Sequence, residues 1–426
     1  MNNIPRTYYA SWHSPDRERP LRPFDSMGVL YYYGDKKTVL TIISGARSRS
    51  GVTSMYCHYD VLFGEDANGF RFTLFNVNMI NQQLSVDFSQ TDFTVDYILL
   101  GCHIRSLDTK CFNKCIIKFP YLRDWAFQNN CKCNRSIAKG TMEWEYHSPS
   151  LVKTELKDGT QLSISSHLQE FFTKYENKIQ QDSVLIINTT EDKSIGYFLQ
   201  RIIEFSQFLS IALFGYQSPI DIVFENPTSS IRTFQLLFEQ EVSVKREHRH
   251  LIKYSILKER LSAFWGCWHS NYEQMAPISN YLTRSLRNLK EFDISGFLII
   301  AQSLDGFFKR FVNKKDGKNT TQYEQQIKKL LEHFQGIQLL KQCNLNATVL
   351  THSRHKYSHL IPDGETKNVE KAVEGEELYC LTHKSIVLLT CCILDNLGLT
   401  IDEINVCLKD SAVEDLVENI PFWYKE

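Results

Sequence analysis

The sequence predicts an α+β chain, with a β-rich part over residues 1–245 followed by an all-α part over 246–426. Three observations predict it. Short β-branched and aromatic runs flank Gly-containing turns in the first part. Apolar residues then recur at helical spacing from about Ile252 almost to the end. And 426 residues, 42% of them hydrophobic, are enough for two or three domains with cores of their own.

Taken in order, Val29–Tyr33 and Thr38–Ile43 read as strands around Gly34–Asp35. Val61–Phe63 and Phe70–Val77 flank Asn68–Gly69, a hairpin signal because both residues tolerate positive φ. Val152–Leu156 and Gln161–Ser165 flank Asp158–Gly159 in the same way. A short helix is expected near Leu122–Gln128, and an antiparallel sheet or sandwich up to about residue 165. Ser166 is placed to cap a helix through Leu168–Lys178. Gly196–Phe214 is a further helix, with Phe198, Ile202, Phe205 and Leu209 on one side. Pro219–Phe224 and Ile231–Phe238 return to strand pattern and complete the first part.

The second part divides into Ile252–Trp268, Ile278–Lys290 and Gly296–Val312. Phe297, Ile300, Leu304, Phe308 and Phe311 line one face of the last of these. Tyr323–Phe334 and Leu345–Leu360 follow, the latter closed by Pro362 and Gly364; Glu374–Leu397 is ended by Gly398. This is a bundle of five or six helices with short connections. Trp265, Trp268 and Tyr272 lie at helical spacing and read as core. Lys314, Lys315 and Lys318 sit in a polar loop, and Arg47 and Arg49 in a Ser/Gly loop.

Composition excludes several classes. Gly 19 and Pro 11 fall below the combined average usage of about 12%, which rules out a collagen-like or largely disordered chain. A net charge of −1 rules out nucleic-acid binding by bulk charge alone. Met1–Arg22 has no apolar run of a secretory signal. The most apolar stretch, Ile386–Leu394, is short for a membrane span and reads as a buried helix. Twelve scattered cysteines, with Cys391 and Cys392 adjacent on an apolar helix, read as free thiols of a cytoplasmic protein. Neither a Gly-x-Ser-x-Gly elbow nor a P-loop appears in the sequence.

The charge is unevenly placed. Residues 301–360 hold ten Lys or Arg against four Asp or Glu, and residues 361–426 hold five against fourteen. The basic segment contains Thr351-His352-Ser353-Arg354-His355-Lys356-Tyr357-Ser358-His359, in which Arg354 and His359 form an Arg-x4-His pair. Nineteen Arg and thirteen His give about two chance matches to Arg-x(4–6)-His, and Arg6 with His13 is a match of that wider kind near the N-terminus. What distinguishes the second match is its place: the end of a helix, in a basic segment, with Asp305 on the polar side of a helix about 50 residues upstream.

These features resemble a HEPN domain (higher eukaryote and prokaryote nucleotide-binding), of the ApeA type found in bacterial anti-phage abortive-infection proteins. That group also carries a β-rich N-terminal domain, so the resemblance spans the chain. It departs in two places. His355 stands where the family usually has Asn or another polar residue, and Asp305 where Glu is common. The resemblance implies a metal-independent endoribonuclease with Arg354 and His359 catalytic, Asp305 and His355 supporting, and Lys356 and Lys309 on the RNA backbone. It implies no cofactor and no metal. It implies an RNA substrate (transfer, messenger or ribosomal), a phage-derived protein trigger at the N-terminal sensing domain, a homodimer or higher oligomer through the HEPN domain, and no membrane.

The chemistry stands without the family. A neighbouring 2′-OH can attack the phosphate, a His near pKa 6.5 can carry the proton, and an Arg can hold the phosphate bidentately. Five residues on a straight helix are about 140° apart, so the pair converges better across a two-fold interface. Other readings remain beside it. Arg354 and His359 could cap helix carbonyls. The domain could bind RNA or nucleotide, or pair two chains, without catalysis. It could be a scaffold for a sensing domain. His352, His355 and His359 share a helix face as metal ligands would, although Lys356 stands where a zinc protease has Glu. Cys111, Cys115, Cys131 and Cys133 form a second metal candidate with irregular spacing.

Overall fold

In a computed structural model, the structure describes residues 6–15, 27–45, 57–84, 88–126, 131–136, 138, 140–146, 152–172, 174, 177–226, 233–244, 249–287, 289, 294–313, 322–362 and 368–418. Arg47, Arg49, Lys314, Lys315, Lys318 and Gly364 lie outside the described residues. The chain is α+β. It divides into two compact units. One holds every strand; the other takes residues 204–217 and the chain from Ser243 onward.

The strands are β1 (Arg6–His13), β2 (Met27–Tyr32), β3 (Thr38–Gly45), β4 (His58–Glu65), β5 (Arg71–Leu84), β6 (Phe88–Leu100), β7 (Lys110–Lys118), β8 (Cys131–Ser136), β9 (Thr141–Tyr146), β10 (Val152–Glu155), β11 (Gln161–Phe172), β12 (Asn177–Ser194), β13 (Asp221–Glu225) and β14 (Thr233–Phe238). All their pairings are antiparallel. The order β6-β3-β2-β1-β4-β5 closes through a β5–β6 pairing into a six-stranded barrel. Closure leaves those strands no free edge. Each contributes to one buried cluster, with Ala10 and Trp12, Leu30 and Tyr32, and Phe72 and Leu74 alternating inward. Gly64 leaves room for the Trp12 ring, which a Cβ there would overlap. The sheet continues from β6 through β14, β13, β7, β12 and β11 to β10.

The expected turns are present: Gly34, Gly69 and Gly159 have φ of +83°, +78° and +80°. At the second, the Asp66 carboxylate accepts from the N–H groups of Asn68 and Phe70, both at 2.8 Å. The helix expected from Ser166 is not formed. That segment is the β11–β12 hairpin, paired from Gln161↔Asn188 to Phe172↔Asn177, and the Ser166 hydroxyl donates across it to the Asp182 carbonyl. A twelve-residue ladder outweighs a local capping signal.

The helices are α1 (Leu122–Trp125), α2 (Ile195–Leu213), α3 (Tyr254–Arg287), α4 (Ile294–Phe307), α5 (Tyr323–His333), α6 (Gln338–Cys343), α7 (Ala347–Ser358), α8 (Gly375–Asn396), α9 (Ile401–Leu408) and α10 (Ala412–Glu418). Two expected helices, Ile252–Trp268 and Ile278–Lys290, are one 34-residue α3 that runs through Pro277. Buried Met275 and Ile278 bracket the proline, so packing maintains a helix that a missing N–H would weaken. Gly296–Val312 is also divided differently: α4 stops at Phe307 and a π turn, Phe308–Val312, follows. α6, α9 and α10 were not among the expected helices.

Within the helical unit, Trp265 and Trp268 are 1% exposed and pack on Phe205 and Phe208 at centroid distances of 5.7–6.0 Å. α8 is longer than its apolar centre indicated. By length and composition it could cross a membrane, but 78% of its apolar window is buried inside the protein. It is the central core helix of this unit, carrying fourteen buried residues.

Candidate active site

α7 has a built beginning and end. The Asn346 side chain caps it by accepting from the N–H groups of Thr348 (2.9 Å) and Val349 (3.2 Å). His359 is the C-cap, with φ −106° and ψ 3°, its N–H still bonded to the His355 carbonyl. Leu360 follows at φ +51°, and the Ile361 N–H returns to the Lys356 carbonyl at 3.0 Å. That six-residue closure is a Schellman end, with leucine where glycine is usual. His359 therefore sits off the helix barrel, exposed, beside a Leu360 that is 86% exposed.

Arg354 is held by two groups. Its guanidinium lies 4.4 Å from the centroid of the Tyr323 ring, and its Nη2 is 3.4 Å from Asp305 Oδ2. Tyr323 is buried at the start of α5 and its hydroxyl donates to the Ala301 carbonyl at 3.0 Å. Burial pushes its phenol well above the usual tyrosine range, so the ring is a neutral platform. The same Asp305 oxygen accepts from Lys309 Nζ at 2.8 Å. One carboxylate from α4 thus faces two cations, one from α7 and one from the π turn.

The imidazoles of His355 and His359 lie 4.7 Å apart, tilted by 59°. Asp305, Lys309 and Arg354 form one group and His355 and His359 another. Among the described residues no hydrogen bond joins Arg354 to His359.

Another side of α7 is bound to the segment before α8. The Lys371 N–H donates to His352 Nδ1 (3.2 Å), and the Val373 N–H to the Ser353 hydroxyl (3.1 Å). The Tyr357 hydroxyl donates to the Val373 carbonyl (3.1 Å), and Lys356 pairs with Glu374. Glu370 Oε2 lies 3.4 Å from His352 Nδ1. Because that nitrogen accepts an N–H, it carries no proton to share with the carboxylate. Two residues of the acidic chain end therefore reach α7.

The histidine metal candidate is not assembled. His352 directs its Nδ1 lone pair to a backbone N–H rather than toward His355 and His359. Among the described residues no group of three potential ligands forms. Cys111 and Cys115 lie on β7, where burial raises the Cys111 thiol to about 11 and takes Cys115 higher still. Cys131 and Cys133 lie on β8, and their side chains are outside the described residues.

Two functional neighbours escaped the sequence reading. Tyr323 was only the first residue of an expected helix, and the fold is what puts its ring against Arg354. Glu324 accepts from Lys328 (2.6 Å) and from the Thr348 hydroxyl (2.9 Å), which ties α5 to α7. The Lys328 bond first, then that of Thr348, holds its carboxyl below the usual 4.5.

An acid–arginine–tyrosine cluster whose tyrosine is buried, its arginine one position in sequence from the first of two neighbouring histidines, on an all-α unit that follows an antiparallel β unit, defines a helical domain carrying a polar site and joined to a β domain. Comparison with family models makes this specific. Residues 8–268 match ApeA N-terminal domain 1, and residues 298–403 match Apea-like HEPN. The chain belongs to the ApeA family, with a C-terminal HEPN domain. At the family level the matches support antiviral defence and a nuclease-type, RNA-related effector domain. Searches of curated proteins and of solved structures returned no match.

Proposed function

We propose that the helical domain is a metal-independent endoribonuclease that, once infection triggers it, cleaves host or phage RNA and aborts the infection. Arg354 binds the scissile phosphate and His359 carries the proton. The 2′-OH attacks phosphorus, the bond to the 5′-oxygen breaks, and the products end in a 2′,3′-cyclic phosphate and a 5′-OH. An imidazole takes the proton from the 2′-OH, and another, protonated, gives one to the leaving oxygen. His355 stands beside His359 to share that work, and Asp305 orients Arg354. Two chains pair so that a second Arg354 and His359 complete the cleft. Lys309 contacts RNA backbone; Lys356 does so after leaving Glu374. A phage-derived protein acting at the N-terminal domain, in the cytoplasm, is the trigger.

The observation that carries this reading is the placement of Arg354. It lies over the Tyr323 ring, 4.4 Å from its centroid, and is tethered to Asp305, inside the residues that match the HEPN model. A guanidinium so oriented keeps donors of its planar fork for a phosphate. One observation favours a second reading, a non-catalytic RNA-binding, nucleotide-binding or dimerisation module: the His359 ring has its ring contact with His355 and no orienting carboxylate among the described residues.

The test compares wild type with Arg354→Ala and His359→Ala in cells challenged with phage, and maps RNA 5′-OH ends. Loss of protection and of new ends in both variants is expected. Undiminished protection with unchanged RNA would falsify the ribonuclease reading. Cleavage in vitro is expected to persist in EDTA; its loss would return weight to the histidines as metal ligands.

A further inference from the structure

We infer that Arg310 and Lys329, together with Lys309, form a ledge that holds the backbone of a single-stranded RNA next to Arg354. The inference rests on the ribonuclease reading and names how the substrate reaches that site.

The ledge is built on the π turn. The Asn313 N–H closes the turn on the Phe308 carbonyl at 2.9 Å, a five-residue step wider than an α turn. Lys309 and Arg310 are consecutive on it and both exposed. Lys309 reaches back to Asp305, the carboxylate that Arg354 also touches. Arg310 folds back over Gly306, its Nη1 only 2.8 Å from where a Cβ would stand. That guanidinium lies over the residue that follows Asp305, and the missing side chain at Gly306 is what lets it rest against the helix. On α5, Lys329 extends its Nζ to 5.9 Å from the Phe308 ring, so it borders the same turn.

Charge balance then points to a polyanion. Lys309 and Arg354 share the single carboxylate of Asp305. Glu324, the nearest acid on α5 by sequence to Tyr323, is engaged by Lys328 and Thr348. Arg310 and Lys329 have no carboxylate contact among the described residues. Even with Glu332 counted three residues after Lys329 on α5, the four cations exceed the two carboxylates by two charges on the π turn and its neighbouring helices. Successive phosphates of a nucleic-acid strand match such a row better than a lone anion does. A single strand is favoured over a duplex because in-line attack by a 2′-OH needs a nucleotide free to leave its stack.

The experiment is equilibrium binding of the full chain to a short, mixed-sequence single-stranded RNA carrying 2′-O-methyl groups, which cannot be cut, over a range of salt. Each phosphate contact contributes about 0.7 to the slope of log K against log salt for a single strand. Arg310→Gln and Lys329→Gln are each expected to lower the slope by about 0.7, and together by about 1.4. Lys328→Gln, whose lysine is already paired with Glu324, is the control and should leave the slope in place. Thermal melting of each variant establishes that it is folded.

Unchanged slopes in both variants, or an equal fall with Lys328→Gln, overturn the ledge. If wild type cuts unmodified RNA while the slopes stay unchanged, the ledge falls and the ribonuclease reading stands. Should the slopes fall as expected while wild type cuts nothing, the ledge stands and the ribonuclease reading falls. A wild type that binds no RNA overturns both. Duplex RNA bound as tightly and with the same slopes overturns the assignment to a single strand.

Discussion

Two faces of α7 lie on opposite sides of the helix and differ in what their polar atoms do. His352, Ser353, Lys356 and Tyr357 fall within an arc of about 140°. Three of the four hydrogen-bond to the backbone of Lys371 or Val373, and the fourth pairs with Glu374. Arg354 and His355 lie outside that arc. Their contacts are with other side chains: Asp305 and Tyr323 for one, His359 for the other. The difference separates structure from chemistry. A group bonded to backbone is fixed with the fold and leaves it only at a cost in stability. A group held by a ring face and a shared carboxylate is oriented yet still able to meet a ligand.

The largest expected effects break the open face. Arg354→Ala or His359→Ala should lower RNA cleavage by about 10²–10⁴-fold while melting stays near wild type. Tyr323→Leu removes the platform beneath Arg354 and should cost about tenfold or more in cleavage through misorientation. Tyr323→Phe keeps the ring and loses only the bond to Ala301, so cleavage should hold while stability falls by about 1 kcal/mol. If Phe were as damaging to cleavage as Leu, the ring would not be what orients Arg354.

The bound face should respond in the opposite way. Ser353→Ala leaves the Val373 N–H without its acceptor and should destabilise by about 1–3 kcal/mol; Tyr357→Phe should cost about 1 kcal/mol. Cleavage at a temperature where both variants are folded should be unchanged. Denaturant melts alongside a cleavage assay check this, and a cleavage defect in folded Tyr357→Phe would erase the distinction between the faces.

The smallest effect is a pH dependence. The folded Glu324 carboxyl titrates below its usual 4.5 because Lys328 and Thr348 bond to the charged form. A depressed carboxylate pKa gives stability that is present above the unfolded value and is lost as pH falls through the folded one. Melting temperature should therefore drop below pH 4.5, and Glu324→Gln should flatten part of that drop. An identical acid profile in the variant would remove Glu324 from the α5–α7 tie.

Much of this was legible in the sequence because it is local. Glycines at Gly34, Gly69 and Gly159 mark turns because positive φ costs them little. The spacing of Phe198, Ile202, Phe205 and Leu209 marks a helix because 3.6 residues make a turn. Arg354, His359 and Asp305 stood out by residue type, place and family resemblance, as did the division into a β part and an α part. Local rules failed where a distant partner decided. Ser166 follows a strand because β12 offers it a ladder, and α3 crosses Pro277 because core residues on both sides hold it. Nothing in the sequence closed β1–β6 into a barrel, since closure is a matter of which strands meet. Tyr323 beneath Arg354, Lys371–Glu374 on the far face of α7, and Arg310 over Gly306 are likewise products of tertiary structure. Periodicity and turn chemistry act within a few residues, so the sequence by itself determined the elements. Which polar groups are tied to backbone and which stay available depends on contacts between residues 18 to 49 positions apart, and those only the fold could decide.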